Sequence, residues 1–357
     1  SISEAAAIVS ATGAAIDLDA LTFDDPAVYA MICEADTVGV FQVESRAQAQ
    51  VLPRLKPRCF ADLIVSISLI RPGPIQGDMV HPYLRRRLGQ EPVEYLHPLL
   101  EPALKETLGV ILFQEQVIKV ARDLAGFTPG QGELLRRALG GKHAHEAIEG
   151  FRTAFITGAR AKGVNEATAQ TVFDKLRAFG GYSFPKSHAA SFAVLVYRSA
   201  WLKRYHPAAF FVALLNNQPM GFWSPAVLVN DARRHHIPVL GVDINRSGAR
   251  CTVEDGCIRL GFNYVRGFSV ESGERIVQAR GMRPFASLAD FVQRVPLPRR
   301  LTENLIQSGA LAGFDTPRRD LLWQLGTLVA DAGALPLDFS GEAVRLPGMD
   351  AAEVSAT

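Results

Sequence analysis

The sequence is poor in cysteine, which argues against a structural zinc site and against a fold held together by disulfides. Its 357 residues contain only Cys33, Cys59, Cys251 and Cys257, and none of them forms a CxxC pair. No metal-ligand spacing appears, so a structural zinc site is not expected. Cys251 and Cys257 could be neighbours across a strand pair, but a reduced cytosolic chain is favoured over a disulfide framework.

Long apolar runs and a strong net charge are also missing. No stretch of about 18 consecutive apolar residues occurs, so no membrane-spanning helix is predicted. The apolar start around Ala5–Val9 has no basic leader, which argues against a signal peptide. The formal net charge is only +2, so any nucleic-acid surface must be a local patch. The chain begins inside a helical pattern, from which we expect a fragment of a longer protein.

What remains is a globular composition, 48% hydrophobic and 21% charged, in a chain long enough for two or three cores. Its most informative stretch, Phe179 to Tyr205, reads FGGYSFPKSHAASFAVLVYRSAWLKRY. The glycine pair and Pro185 predict a loop, and Ser187 can cap the helix that follows. A buried apolar stripe is expected on that helix at Phe192, Leu195, Val196 and Leu202, with Trp201 and Tyr205 close by.

Lys186, Ser187 and His188 lie at the start of this helix, where free N–H groups and the positive dipole end favour an anion, above all a phosphate. The alternative is an ordinary capped core helix with a solvated lysine.

A second basic segment is the predicted helix from Gln131 to Leu139. Arg136 and Arg137 lie near its end, and Gly140-Gly141-Lys142 follows. The planar fork of arginine suits phosphate oxygens, and a glycine pair lets the backbone approach a ligand closely. Lys142 is expected to contact DNA. Arg71, on a rigid Arg-Pro-Gly-Pro turn, is either a phosphate contact or a C-terminal helix charge.

Two groups of residues resemble metal sites but are interpreted otherwise. Asp17 and Asp19 have the spacing of a magnesium-binding pair, yet they lie in a loop that leads to a capped helix, so we interpret them as turn residues. His143, His145 and Glu146 are expected in a flexible polar loop, because no second cluster completes a zinc shell.

From Ile237 the pattern changes to short β-type runs, at Val239–Val242, Ala249–Val253 and Ile258–Leu260, with Asp255-Gly256 as a hairpin turn. An apolar–x–Gly–apolar turn around Gly267 then precedes a predicted helix, which is the form of a helix-hairpin-helix. Such hairpins bind a DNA backbone through turn N–H groups without reading sequence. Arg266, Gly267 and Ser269 are therefore the expected DNA contacts. Leu301 to Gly313 looks like a second, degenerate copy.

Together with the stretch from Phe179 to Tyr205, four segments resemble, in the same order, the bacterial C-family DNA polymerases, the alpha subunits of DNA polymerase III. They are VGVFQVESR (Val38–Arg46), LIRPGPIQ (Leu69–Gln76), GVILFQEQV (Gly109–Val117) and LLRRALGGK (Leu134–Lys142). LLNNQPMGFWSP (Leu214–Pro225) and Pro185 resemble the error-prone, damage-inducible branch, whereas Lys186 is the choice of the main replicase.

The resemblance implies a mainly α fold in three parts. These are helical polymerase fingers over 1–215, a small α+β tandem helix-hairpin-helix subdomain over 216–325, and a linker or disordered tail over 326–357. It implies no catalytic residue within this chain. It implies that the triphosphate of the incoming nucleotide is bound by Arg136, Arg137, Lys186 and His188, with Arg71, Gln42 and Ser45 also in the nucleotide site.

The implied activity is DNA-directed DNA polymerisation, with template-primer DNA and a deoxynucleoside triphosphate as partners, in the bacterial cytoplasm. Mg²⁺ would be held by palm carboxylates upstream, so this chain alone is expected to be inactive. Ala334–Phe339 faintly resembles the peptide by which polymerases bind a sliding clamp, although the usual leading glutamine is absent. A sliding clamp or other translesion polymerase partners are therefore further candidate partners. The alternatives are a main replicative alpha subunit, a non-enzymatic helical nucleic-acid-binding module, or a structural domain whose basic helices are only solvated.

Overall fold

The computed structural model describes residues 1–13, 16–70, 80–140, 145–180, 184–281 and 283–330. Within these ranges the fold is mainly α-helical with one small sheet, which confirms the predicted fold class. The helices, numbered in chain order, are α1 (Ile2–Ala11), α2 (Pro26–Cys33), α3 (Arg46–Leu55), α4 (Phe60–Leu69), α5 (Val80–Arg87), α6 (Glu101–Leu104), α7 (Gln114–Ala125), α8 (Pro129–Gly140), α9 (His145–Ala161), α10 (Glu166–Gly180), α11 (Lys186–Tyr205), α12 (Pro207–Asn216), α13 (Pro225–Arg234), α14 (Val270–Arg280), α15 (Leu288–Arg294), α16 (Arg299–Gln307) and α17 (Arg318–Ala330).

The chain divides into two compact units, Asp17–Tyr205 and the combination of Ser1–Ile16 with His206–Thr357. Each unit has its own hydrophobic core. In the part of the chain that the structure describes, no helix combines the length and the apolar character needed to span a membrane.

In the first unit, α11 packs against α4 and α2, and its buried side includes a row of mostly small side chains. The row consists of residues three or four positions apart, namely Ala189, Ala193, Val196, Ala200 and Lys203, and all of them are buried. α4 buries every side chain from Asp62 to Leu69. The predicted apolar stripe is therefore only partly right, because Phe192 and Leu195 are half-buried and Tyr205 is exposed. Small residues allow two helices to approach closely, which explains why the face of α11 that carries the alanines is the buried one.

Lys203 ends this row, and its fully buried ammonium donates to Asp36 Oδ1 at 2.8 Å and to the Val38 carbonyl at 3.1 Å. The segment it holds, Thr37 to Gln42, is apolar and β-branched, a pattern that predicts a short buried strand; this prediction is wrong, because the structure shows no strand there. The backbone instead makes consecutive tight turns, with positive φ at Gly39 and Gln42. The Val40 N–H donates to the Thr37 carbonyl at 3.0 Å, so backbone groups are satisfied locally rather than by a partner strand.

The second core of this unit lies among α7, α8, α9 and α10. Its aromatic centre is a chain of contacts between Phe127, Phe155 and Phe173, with ring centroids 6.0 and 5.5 Å apart. Gly158 is required here, because a Cβ at this position would lie 2.0 Å from the Ala125 carbonyl oxygen. This close contact between α9 and the C-terminal end of α7 helps to fix the position of α7.

In the other unit, α1 packs against α12, and a three-stranded sheet follows α13. Its strands are β1 (Val239–Leu240), β2 (Thr252–Glu254) and β3 (Cys257–Arg259). β3 is central, parallel to β1 and antiparallel to β2, with Ile258 opposite both Val239 and Val253. The predicted β runs and the hairpin between the last two are confirmed in position.

Helices α14 to α17 then enclose a separate hydrophobic cluster centred on Phe262, Phe291 and Leu305. Gly267 has φ +82° and forms the turn before α14, whose first residues are capped by the Ser269 hydroxyl. Asn304 of α16 donates to the Arg266 carbonyl at 2.8 Å, which ties the second hairpin to the turn of the first.

Candidate nucleotide and DNA-binding sites

Arg136 and Arg137 of α8 share one carboxylate, that of Glu133. Arg136 donates to Glu133 through Nε at 2.8 Å and Nη2 at 2.7 Å, which is a bidentate fork. Arg137 Nε donates to the same carboxylate at 2.8 Å, although its side chain is 70% exposed. Both arginines lower the pKa of Glu133 to about 2, and Glu133 in turn raises the pKa of Arg136. A single anionic group therefore already fits between the two guanidiniums.

The α11 N-terminus is also occupied by a carboxylate. The Lys186 N–H donates to both oxygens of Glu115, at 3.2 and 3.1 Å, and the Lys186 ammonium pairs with Glu106. The expected cap by Ser187 is wrong, because the helix begins at Lys186, so that Ser187 is its second residue and lies inside the first turn. Glu115 satisfies the free N–H group from 71 positions away in the sequence.

The N-terminus of α7 connects these two arrangements. Arg136 Nη1 donates to the Gln114 side-chain oxygen at 3.1 Å, and the next residue is Glu115. The Gln114 N–H donates to the Phe184 carbonyl at 3.0 Å, just before α11. Two adjacent residues of α7 thus contact both basic helices, and the structure brings Arg136 and Lys186 to one place.

Gln116 fixes the position of that N-terminus. Its side chain is fully buried, and its oxygen accepts the N–H groups of Leu112 and Phe113 at 2.8 and 3.0 Å. Its amide nitrogen donates to the Ala103 carbonyl at 3.2 Å and to the Thr107 hydroxyl at 2.7 Å. Because its oxygen and its amide nitrogen are both bonded, Gln116 holds Gln114 and Glu115 rigidly beside the cations.

His188 is exposed in the first turn of α11 and belongs to a row of aromatic rings beside the cationic region. Its ring lies 5.2 Å from Phe184 and 4.3 Å from Phe192, between ring centroids. Phe192 in turn meets Phe41 at 5.5 Å. Gln42, which follows Phe41, is thus near the far end of this row.

The remaining predicted nucleotide-site residues are placed differently. Ser45 is the N-cap of α3, where its hydroxyl accepts the Gln48 N–H at 3.3 Å, a structural role. Arg71 lies outside the described residues, as does Lys142. The carboxylates Glu106, Glu115 and Glu133 were missed by sequence reasoning. Only Glu133 carried a local signal, since it precedes the arginines by three and four positions on one helix.

Asp17 and Asp19 form a turn in which the Asp19 N–H donates to Asp17 Oδ1 at 2.9 Å. The Asp19 carboxylate pairs with Arg198 of α11. A carboxylate that faces a guanidinium and a backbone N–H is arranged as a turn residue, so this pair does not fit a magnesium site.

The hairpin turn of the other unit presents the three predicted DNA contacts on its surface. Arg266, Gly267 and Ser269 are all exposed. A Cβ at Gly267 would lie 3.2 Å from Leu301, so the turn is also packed closely against α16. Backbone N–H groups at such a turn suit phosphate oxygens without base contacts.

Comparison with known proteins adds two family matches and a set of relatives. The finger domain of the bacterial DNA polymerase III alpha subunit matches residues 1–163, and a helix-hairpin-helix motif matches residues 236–321. The chain is 48% identical over 351 residues to an error-prone DNA polymerase of Anaeromyxobacter sp. (strain K), covering 93% of this chain and 31% of that protein. It is 48% identical over 347 residues to an error-prone DNA polymerase of Corynebacterium glutamicum, covering 97% and 33%. The chain thus spans about a third of the length of these relatives.

Proposed function

The chain belongs to the bacterial DNA polymerase III alpha-subunit family, and we propose that it forms the finger and helix-hairpin-helix parts of an error-prone DNA-directed DNA polymerase. The intact enzyme would transfer a nucleotide from a deoxynucleoside triphosphate to a primer and release pyrophosphate. Residues 1–215 would form the fingers and residues 216–325 the DNA-binding hairpins, while residues 326–357, which include the end of α17, would form a linker or disordered tail.

The observation that carries this proposal is the meeting of α8 and α11 at the α7 N-terminus. Arg136 and Lys186 are 50 positions apart in the sequence, yet Arg136 bonds Gln114 and the Lys186 backbone bonds Glu115. Cations gathered in this way repel one another unless anions lie between them. Here carboxylates take that place, and a triphosphate carries more charge than any one of them.

We propose that the triphosphate displaces Glu133 and Glu106 from the cations. Arg136, Arg137, Lys186 and His188 would then neutralise the phosphate oxygens and stabilise the charge that develops on the pyrophosphate leaving group. Gln42 would contact the nucleotide from the far end of the aromatic row. Arg71 and Ser45 are proposed as further members of this nucleotide site, where the Ser45 hydroxyl would also serve as the N-cap of α3.

Mg²⁺ is proposed as the metal of the intact enzyme, held by carboxylates outside this chain. When bound, it would act as a Lewis acid that polarises the phosphoryl group and stabilises negative charge on the reacting oxygens. Within this chain, the arrangement of Asp17 and Asp19 does not suit that ion, since Arg198 already occupies the Asp19 carboxylate.

The proposed partners are template-primer DNA and the incoming deoxynucleoside triphosphate, which bacteria hold in the cytoplasm. DNA backbone would be bound by Arg266, Gly267 and Ser269, together with Lys142. A sliding clamp, or other translesion polymerase partners, would bind through Ala334–Phe339, which lies outside the described residues.

Heat unfolding of the 357-residue chain tests the proposal. Deoxyadenosine triphosphate should raise the melting temperature in a saturable way, since a ligand that binds only the folded state stabilises it. Deoxyadenosine, which lacks phosphates, should leave it unchanged. Protection by DNA with none by the triphosphate would contradict the nucleotide site and favour a non-enzymatic nucleic-acid-binding module.

A further inference from the structure

A second cationic cleft lies in the unit Asp17–Tyr205 and shares no residue with the site described above. It forms where the C-terminal ends of α3 and α5 meet the N-terminal end of α4, and it has a volume of about 430 Å³. Its polar lining consists of Arg54, Lys56, Arg58, Cys59, Asp62 and Arg87. Four cations and one carboxylate thus surround a single cleft.

The carboxylate and one of the cations are fully engaged in holding the cleft together. Asp62 accepts from Arg87 Nη2 at 2.7 Å and from the Arg58 N–H at 2.8 Å. Arg87 also donates to the carbonyls of Leu55 and Lys56, each at 3.4 Å, at the end of α3. Arg87 and Asp62 therefore form a structural frame that joins α5, α4 and the end of α3.

Arg54, Lys56 and Arg58 are left over. All three are exposed, and across the ranges described above their side chains make no hydrogen bond or ion pair with another residue. They leave an excess of positive charge that no residue of the cleft neutralises. Like charges so close together repel one another, and the repulsion is relieved when an anion enters.

The α4 N-terminus adds to the same field. Cys59, which lines the cleft, is its N-cap and provides no side-chain cap bond, so the start of a ten-residue helix lies beside the cleft. Two arginine forks and a lysine beside this helix start match a tetrahedral oxyanion that accepts several hydrogen bonds.

We propose that this cleft is a second phosphate-binding site, which holds a phosphate of a nucleic-acid backbone or of a free polyphosphate on Arg54, Lys56 and Arg58. This goes beyond the proposed nucleotide site, because neither the triphosphate of the incoming nucleotide nor the hairpin contacts involve these residues. The site would give the fingers their own contact with a polyanion.

Cys59 provides a local readout, because its thiol is exposed and lines the cleft. The experiment measures the rate at which iodoacetamide alkylates Cys59 in the full chain, followed by peptide mass spectrometry. The probes are inorganic tripolyphosphate and a single-stranded oligonucleotide. At tenfold above its dissociation constant, a bound probe should slow alkylation of Cys59 by about tenfold, while Cys257, in the other unit, keeps its rate.

Matched variants assign any protection to the three cations. In the triple variant Arg54→Gln, Lys56→Gln, Arg58→Gln, protection of Cys59 should be lost, with affinity reduced by about tenfold or more. The control Lys105→Gln, Arg160→Gln, Lys175→Gln removes the same charge from exposed positions elsewhere in the unit and should protect like the wild type.

The outcomes separate the phosphate sources and can overturn the site. Protection by the oligonucleotide alone identifies a nucleic-acid backbone, protection by tripolyphosphate alone identifies free polyphosphate, and protection by both shows a site that accepts phosphate from either source. If neither probe slows Cys59, or if the cleft variant is protected as well as the control, the site does not exist. Arg137→Gln should leave Cys59 protection intact, so failure of the nucleotide site can be recognised separately.

Discussion

Replacing Arg137 by glutamine probes the nucleotide site with little risk to the fold. The Arg137 side chain is 70% exposed, and its Nε donates to Glu133 at 2.8 Å. Exposed ion pairs contribute about 0–1 kcal/mol to stability, so the free energy of unfolding should hardly change. Arg136 keeps its own bidentate bond to Glu133, so the carboxylate stays in place.

The expected loss of nucleotide affinity is much larger than this stability effect. A hydrogen bond to a charged group contributes about 1.5–3 kcal/mol, which corresponds to a loss of roughly ten- to hundredfold in affinity for the triphosphate. In the intact polymerase, the same change should raise the KM for nucleotide or lower kcat by about tenfold or more.

Calorimetric titration with deoxyadenosine triphosphate measures this affinity directly. Arg160→Gln is the matched control, since Arg160 is 65% exposed and also pairs with a carboxylate, Glu166, at 3.4 Å. Equal affinity in the wild type, Arg137→Gln and Arg160→Gln would remove Arg137 from the nucleotide site.

Three further predictions follow from other parts of the structure. The depressed pKa of Glu133 means that its pairing stabilises the fold above pH 4.5 and is lost as the pH falls toward about 2; in Arg136→Gln, an NMR titration should show this pKa rising toward 4.5, and an unchanged value would contradict the pairing. Gly267→Val should weaken DNA binding about equally across sequences, because a side chain blocks close approach of phosphate to the turn. The melting temperature of the variant is checked first, because φ at Gly267 is +82°. If the folded variant binds DNA as tightly as the wild type, the turn is not part of the DNA surface. Lys203→Met should lower the free energy of unfolding by about 3 kcal/mol, the lower end for a broken buried pair, since Asp36 keeps some contact with water; denaturant unfolding that matches the wild type would show that the pair adds no stability.

Sequence reasoning predicted the features that depend on local chemistry. The family could be predicted because ordered motifs such as LLRRALGGK are visible in the sequence without knowledge of how the chain packs. The comparisons with known proteins confirmed it. The helix that carries Arg136 was placed to within two residues, and a loop before α11 was expected, since glycine and proline act within a few residues. The β runs and the helix-hairpin-helix region were found for the same reason.

Features that depend on tertiary contacts were not predictable in this way. The apolar run before α3 had the composition of a strand, but turns within the segment satisfied its backbone. The start of α11 was misplaced because its N–H group bonds Glu115, far away in the sequence. The buried face of α11 was misjudged because helix packing buries its alanines, whereas the larger Phe192 and Leu195 are only half-buried.

The candidate site likewise contains residues that local motifs reveal and residues that only tertiary contacts reveal. Its cations were identified from local motifs, whereas Glu106 and Glu115 became visible only when α7 and α11 were brought together. The roles of Arg71, Lys142 and the segment Ala334–Phe339 stay predictions, since these residues lie outside the described ranges.

The central claim is that cations from two separate helices bind one triphosphate. The most direct measurement is side-chain NMR of the nitrogen resonances of Arg136, Arg137 and Lys186 during titration with deoxyadenosine triphosphate. The account predicts that all three shift together and saturate at one concentration, while Lys175 on α10 does not move and deoxyadenosine has no effect. If the triphosphate binds while these three resonances stay unmoved, or if they saturate at clearly different concentrations, the shared site is contradicted.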